Sequence, residues 1–165
     1  MRPLRLVALA SLLAVPPIAA QNAAANPKAM IAALAGKWRS EIRQGANITI
    51  RYQDIHLLGD STKVTWIDST EQRGAIATSV VGYDATKRSY FLLSAGANQP
   101  TPIVSVGHGD SGDLRIRFDS PRLVPDADPP RGLYIATILR VVDATHLEWI
   151  GAGGEWRMVL TKVGA

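Results

Sequence analysis

The chain has no cysteine among its 165 residues. In an oxidising compartment that excludes disulfides, thiol nucleophiles, thiolate metal sites and a lipid-bearing N-terminal cysteine. Long apolar stretches are also scarce. The one that stands out, Leu6 to Val15, is about half the roughly 20 residues a membrane-spanning helix needs. There is no Lys/Arg cluster of the kind that tracks phosphates, so no nucleic-acid partner is expected. No Gly-x-Ser-x-Gly elbow and no His-Glu-x-x-His pair occurs, which leaves no catalytic residue to name and no motif calling for a cofactor or a metal.

What is present begins with an export pattern. Arg2 and Arg5 precede the apolar run, Pro16 and Pro17 break it, and Ile18-Ala19-Ala20 offers small residues to a signal peptidase. Residues 1–20 are read as a cleaved signal peptide, with Ala25 as a second cleavage candidate, and 21–26 as an Ala/Asn-rich disordered linker. Residues 27–165 are read as one domain, long enough for a proper core. No integral span remains after cleavage. Loss of the signal takes two of the 18 basic residues and leaves 16 against 14 acidic ones, a net charge of roughly +2. The absence of disulfides suits a bacterial periplasm or a secreted fluid, and exported is the expected location.

The mature chain offers one helix. Asn26 can cap it, Pro27 suits its first position, Gly36 can end it, and Met30, Ile31 and Leu34 share a face. Everything beyond reads as strand and turn. Ile48 to Tyr52, Leu114 to Phe118 and Trp156 to Leu160 alternate apolar with polar residues, the period of a strand. Runs rich in β-branched and aromatic residues cover 63–68, 75–83, 89–93, 103–106, 133–142 and 146–150, separated by Gly/Asp/Asn/Ser turns. About nine or ten short-linked strands predict an all-β fold, a single antiparallel up-and-down barrel with a short N-terminal helix. Ser120 to Gly132 carries Pro121, Pro125, Pro129 and Pro130, which argues against a central strand there. It reads as a lid or a stiff connector.

With these elements placed, Leu34-Ala35-Gly36-Lys37-Trp38 becomes recognisable. A short helix running into Gly-x-Trp on the first strand resembles the lipocalin-like (calycin) barrels. Gly82-Tyr83-Asp84-Ala85-Thr86-Lys87 with Tyr90-Phe91, just after Trp66-Ile67-Asp68, looks like the mid-barrel hairpin of small, uncharacterised bacterial exported members of that superfamily. The superfamily's disulfide is absent. The resemblance implies a barrel closed at one end by Gly36 and Trp38, with Arg157 or Lys162 packed over the indole by cation–π attraction. It also implies room for a small apolar or amphipathic ligand, and transfers no activity.

The other polar candidates have bland readings beside them. His146 and Glu148 lie two apart on a strand and share a face. Facing inward they form an acid–base pair; facing outward they are solvated, as Leu147 and Trp149 opposite them suggest. Gly107 to Asp113 offers oxygens to a calcium ion, but its composition is that of a hairpin turn. His56 and His108 have no metal-ligand spacing. Arg51, Arg115, Arg117 and Arg140 alternate with apolar residues and belong mostly to the solvent face, and any that faces inward could hold a ligand's carboxylate. Three classes of function therefore stand: a barrel that binds a small ligand, a cell-envelope structural or protein-interaction module, and a small barrel enzyme such as an isomerase or hydrolase.

Overall fold

The computed structural model describes residues 26–96, 102–109, 114–124 and 131–164. Helix α1 (Pro27–Leu34) is followed by ten strands: β1 (Gly36–Gln44), β2 (Asn47–Leu58), β3 (Lys63–Ser69), β4 (Ala75–Asp84), β5 (Ser89–Gly96), β6 (Ile103–Gly109), β7 (Arg115–Val124), β8 (Arg131–Val141), β9 (His146–Gly151) and β10 (Arg157–Lys162). Each strand pairs antiparallel with the next, and β10 returns to β1, so the sheet is a closed up-and-down barrel. Closure leaves no sheet edge exposed along the paired lengths.

Helix α1 starts where Asn26 Oδ1 accepts from the Lys28 and Ala29 backbone N–H groups at 3.0 and 3.4 Å. Its end differs from the sequence expectation. Ala35 is the C-terminal cap, and Gly36 already begins β1 with φ +138°. The glycine is needed there for the bend from helix into strand, a conformation that residues with a Cβ avoid. Met30, Ile31 and Leu34 are buried against the sheet, and α1 touches β2, β3, β4 and β8, closing one end of the barrel. Each such burial is worth about 2 kcal/mol, which a helix of two turns needs because it is not stable alone.

Alternation sorts every strand into an inward and an outward row. At the α1 end the inward row is large and apolar: Trp38, Ile55, Val64, Val81, Ile116, Leu139, Leu147 and Leu160 are buried in one cluster. Gly107 belongs to this row. A Cβ there would lie 2.7 Å from the Phe118 ring, so the glycine makes room for the phenylalanine across the β6–β7 ladder.

The proline-rich segment corrects the sequence reading. Ser120 to Val124 continues β7, and Pro121 pairs with Tyr134 of β8. The β6–β7 ladder ends at Val106 and Asp119, so beyond that point β7 has a partner on one side only. A proline is tolerated on such an edge because no second ladder needs its missing N–H. The rest of the segment, 125–130, lies outside the described residues.

Candidate functional site

At the closed end, Trp38 is buried and its Nε1–H donates to the Leu34 carbonyl at 2.9 Å, tying β1 to α1. Lys162 stands opposite Trp38 in the β1–β10 register, with its Nζ 5.2 Å from the indole centroid. A Cβ on Gly36 would lie 2.7 Å from Lys162 Cε, so the lysine stem runs over the bare glycine to reach the ring. Arg157 sits at the other end of β10, on the outer wall. Gly36, Trp38 and Lys162 thus form one cluster, and Arg157 is not part of it.

Toward the opposite end the inward row changes character. Ser40 and Gln53 are buried, as are Ser79 and Ser105, while Arg51, Asp68, Ser94, Ser120 and Thr137 are half-buried. Ala77, Gly96 and Gly151 occupy further inward positions by register. Small and polar side chains here replace the large apolar ones of the α1 end. Ser79 donates to Ser94 at 3.0 Å, and Ser105 and Ser120 share a hydrogen bond at 2.6 Å. Gln53 Nε2 donates both to Ser40 Oγ at 2.8 Å and to Asp68 Oδ1 at 2.9 Å.

Between the two regions, Trp66 of β3 meets Trp149 of β9 edge to face across the interior, with centroids 5.2 Å apart. Trp156, just before β10, lies beyond it, 6.4 Å from Trp149. Among the described residues, five buried polar atoms in this half lack a partner: Arg51 Nε, Gln53 Oε1, Trp66 Nε1, Thr137 Oγ1 and Trp149 Nε1. All five belong to inward-facing residues of β2, β3, β8 and β9. An unsatisfied buried donor or acceptor costs about 1–3 kcal/mol, so these atoms call for partners from outside the chain, whether solvent or a bound molecule. Burial raises the Asp68 carboxyl above its ordinary 3.8, against the Gln53 hydrogen bond and the nearby Trp66 N–H and Arg51 charge, which favour the anion. The Trp66 N–H lies beside Asp68 without the geometry of a normal hydrogen bond.

Most of the remaining sequence candidates that the structure describes lie on the outer wall. His146 Nδ1 is 3.0 Å from Asp143, whose carboxyl is held down at about 2 by hydrogen bonds from the Thr145 hydroxyl and backbone N–H and from His146. Glu148 is bonded by Arg140 and Arg157. Burial pushes Glu148 up, but the two guanidinium groups outweigh it and leave the carboxyl below 4.5. His146 and Glu148 therefore each have their own partners and face away from the interior that Leu147 and Trp149 line. His56 pairs with Asp54 on the outer wall, and His108 is exposed. Arg117 and Arg140 point outward, while Arg51 shares the inward row of Gln53 and Ile55. Gly107 to Gly109 belong to β6; 110–113 lie outside the described residues, as do 1–25. Among the described residues no group of three His, Asp or Glu side chains is placed to hold a metal, and no helix is long and apolar enough to cross a membrane. A depression of about 320 Å³, lined by Lys37, Trp38, Tyr52, Gln53, Asp54, Ser69 and Val163, is partly open to solvent.

The residues that sequence reasoning passed over are Gln53, Asp68 and Thr137. A signal for the first two existed, because β2 and β3 place them at alternate positions from buried Ile55 and Trp66. No protein-family model matches the chain, and no curated protein matches it.

Proposed function

We propose that this protein is an exported, lipocalin-like barrel that binds a small amphipathic molecule in the half of its interior beyond the Trp66–Trp149 contact. The observation that carries the reading is the set of five buried, unpartnered polar atoms on inward-facing residues of β2, β3, β8 and β9. Two further features support it. Barrel diameter grows with strand number, and eight strands already enclose either packed side chains or one small ligand. Ten strands with serine, alanine and glycine in the inward row favour the latter. The three indoles supply the apolar walls that small-molecule sites use, with few polar groups to fix orientation. The N-terminal charge, apolar run and small-residue site support export, and Gly36, Trp38 and Lys162 support the lipocalin-like assignment.

Native mass spectrometry of the chain beginning at Gln21, purified from an exporting host without denaturation, tests the reading. The expected result is a reproducible excess mass that vanishes on denaturation. A Ser94→Phe variant, which fills the inward row, is expected to lose that mass while remaining folded. A clean apo mass after exposure to lipid and metabolite extracts would overturn it.

A second reading rests on a different surface. Leu93, Val104 and Val106 form an exposed apolar group on the outer wall of β5 and β6, with Leu93 opposite Val104 in register. Contiguous apolar surface of this kind favours protein interaction. Pull-down from envelope extracts that depends on Val104→Lys separates it from ligand carriage.

A further inference from the structure

Resting on that reading, we infer that the interior site takes a neutral ligand whose polar head presents a hydrogen-bond acceptor beside a donor: an amide, lactam or ureide edge on an apolar body.

The unpartnered atoms define the head. Arg51 Nε, Trp66 Nε1 and Trp149 Nε1 are donors and nothing else, so the ligand must offer them acceptor oxygen. Gln53 Oε1 is an acceptor and nothing else, and its amide cannot turn to hide it. The Nε2 of the same amide is fixed by Ser40 on one side and Asp68 on the other. The ligand must therefore also offer an N–H or O–H. Gln53 and Trp66 are almost wholly buried, so both demands are made in a low-dielectric setting where leaving them unmet is costly. Thr137 Oγ1 serves either role. A hydrocarbon would answer none of these atoms.

The charges described at this end disfavour ionic heads. Among the described residues, the charged side chains inward at this end are Arg51 and Asp68, whose formal charges cancel. Glu155 adds a negative rim. Its carboxylate lies where a Cβ on Gly151 would point, over the inward position of β9. A carboxylate ligand would meet two like charges against one guanidinium. An ammonium ligand would be drawn by those carboxylates, yet it carries no acceptor for the three donors. A neutral head with both functions satisfies the set. The indoles of Trp149 and Trp156, tilted against each other, suit a flat or aliphatic body.

Four ten-carbon probes separate the possibilities, titrated into the purified full barrel by calorimetry and tryptophan fluorescence: δ-decanolactam, δ-decanolactone, decanoate and decylamine. The lactam and the lactone share a shape and an acceptor and differ in one N–H. The lactam is expected to bind about tenfold tighter than the lactone, the equivalent of one well-made hydrogen bond, and tighter still than the two ions. In Gln53→Leu the lactam and lactone are expected to bind alike. In the near-isosteric Thr137→Val, which spares the Ser40–Gln53–Asp68 chain, the lactam is expected to weaken several-fold. Equal binding of lactam and lactone, or tightest binding of decanoate or decylamine, would overturn the neutral-edge assignment and leave the ligand-binding reading standing. Failure of all four to bind at millimolar concentration would overturn both.

Discussion

Trp66 and Trp149 span the barrel, β3 to β9, and meet edge to face with their planes 64° apart. Trp66 is buried and Trp149 partly so, and the contact separates the apolar half of the interior from the polar half. Trp66→Ala should lower unfolding stability by about 3–5 kcal/mol, the range for deleting a large aromatic from a core. Trp149→Ala should cost less, because less of its surface leaves water. Equilibrium denaturation of both variants checks the order, and a larger loss for Trp149 would place the divide elsewhere.

The Gly36, Trp38 and Lys162 cluster yields two separable effects. Lys162→Met keeps the stem over Gly36 and removes the charge over the indole, so it should cost about 0.5–1 kcal/mol. Gly36→Ala must hold φ near +138° with a Cβ and displace Lys162, and should cost about 1–3 kcal/mol. Urea midpoints compare them directly. An unchanged midpoint for Gly36→Ala would mean that β1 begins with a different backbone than described.

Acid should reveal Glu148. Its folded carboxyl titrates below 4.5, so the stabilisation it confers is fully present above 4.5 and is lost as pH falls through the depressed folded value. Both arginines are about half exposed, so solvent screening limits the effect of Glu148→Gln at neutral pH to about 1 kcal/mol. The variant's stability should change less than the parent's below pH 4.5. A parallel acid limb in the two proteins would count against the clasp.

Asp68 should behave with the opposite sign. Burial raises its folded carboxyl above 3.8, so the ionised form weighs against the folded state at neutral pH, and the penalty lifts as pH falls through the raised value toward 3.8. Asp68→Asn retains an oxygen to accept from Gln53. It should therefore raise the melting temperature at pH 7, with the gain vanishing below pH 3.8. A lower melting temperature at pH 7 would show that the Arg51 charge and the Gln53 hydrogen bond outweigh burial.

The helix, the strand count and the closed architecture were legible because each rests on local chemistry. Asn26 and Pro27 mark the helix start, and alternation marks strands such as Leu114 to Phe118, whose Ile116 and Phe118 are indeed buried. Alternation reports two faces but not which is inside. In Ile48 to Tyr52 the apolar row is the expected core face, yet Ile48 is exposed on the outer wall and Arg51 takes the inward position. The polar half of the interior was illegible for the same reason. Ser94, Ser105 and Ser120 have the composition of solvent-facing or turn residues, and only the β5, β6 and β7 registers bring them to one inner wall. Pro121 misled because its effect depends on whether a second strand lies beside it, which is a matter of tertiary structure.

Trp38 and Lys162 stand side by side although most of the sequence separates them. The entropic cost of joining such distant segments rises only with the logarithm of the intervening length, so the seam takes little from equilibrium stability. Its effect falls on time, since pairings between remote segments form slowly. Until β10 reaches β1, the open ten-strand ribbon carries two bare edges able to recruit other chains. The β1–β10 ladder is thus the one that shields all the others, and a substitution that weakens it would first be seen in the yield of soluble protein.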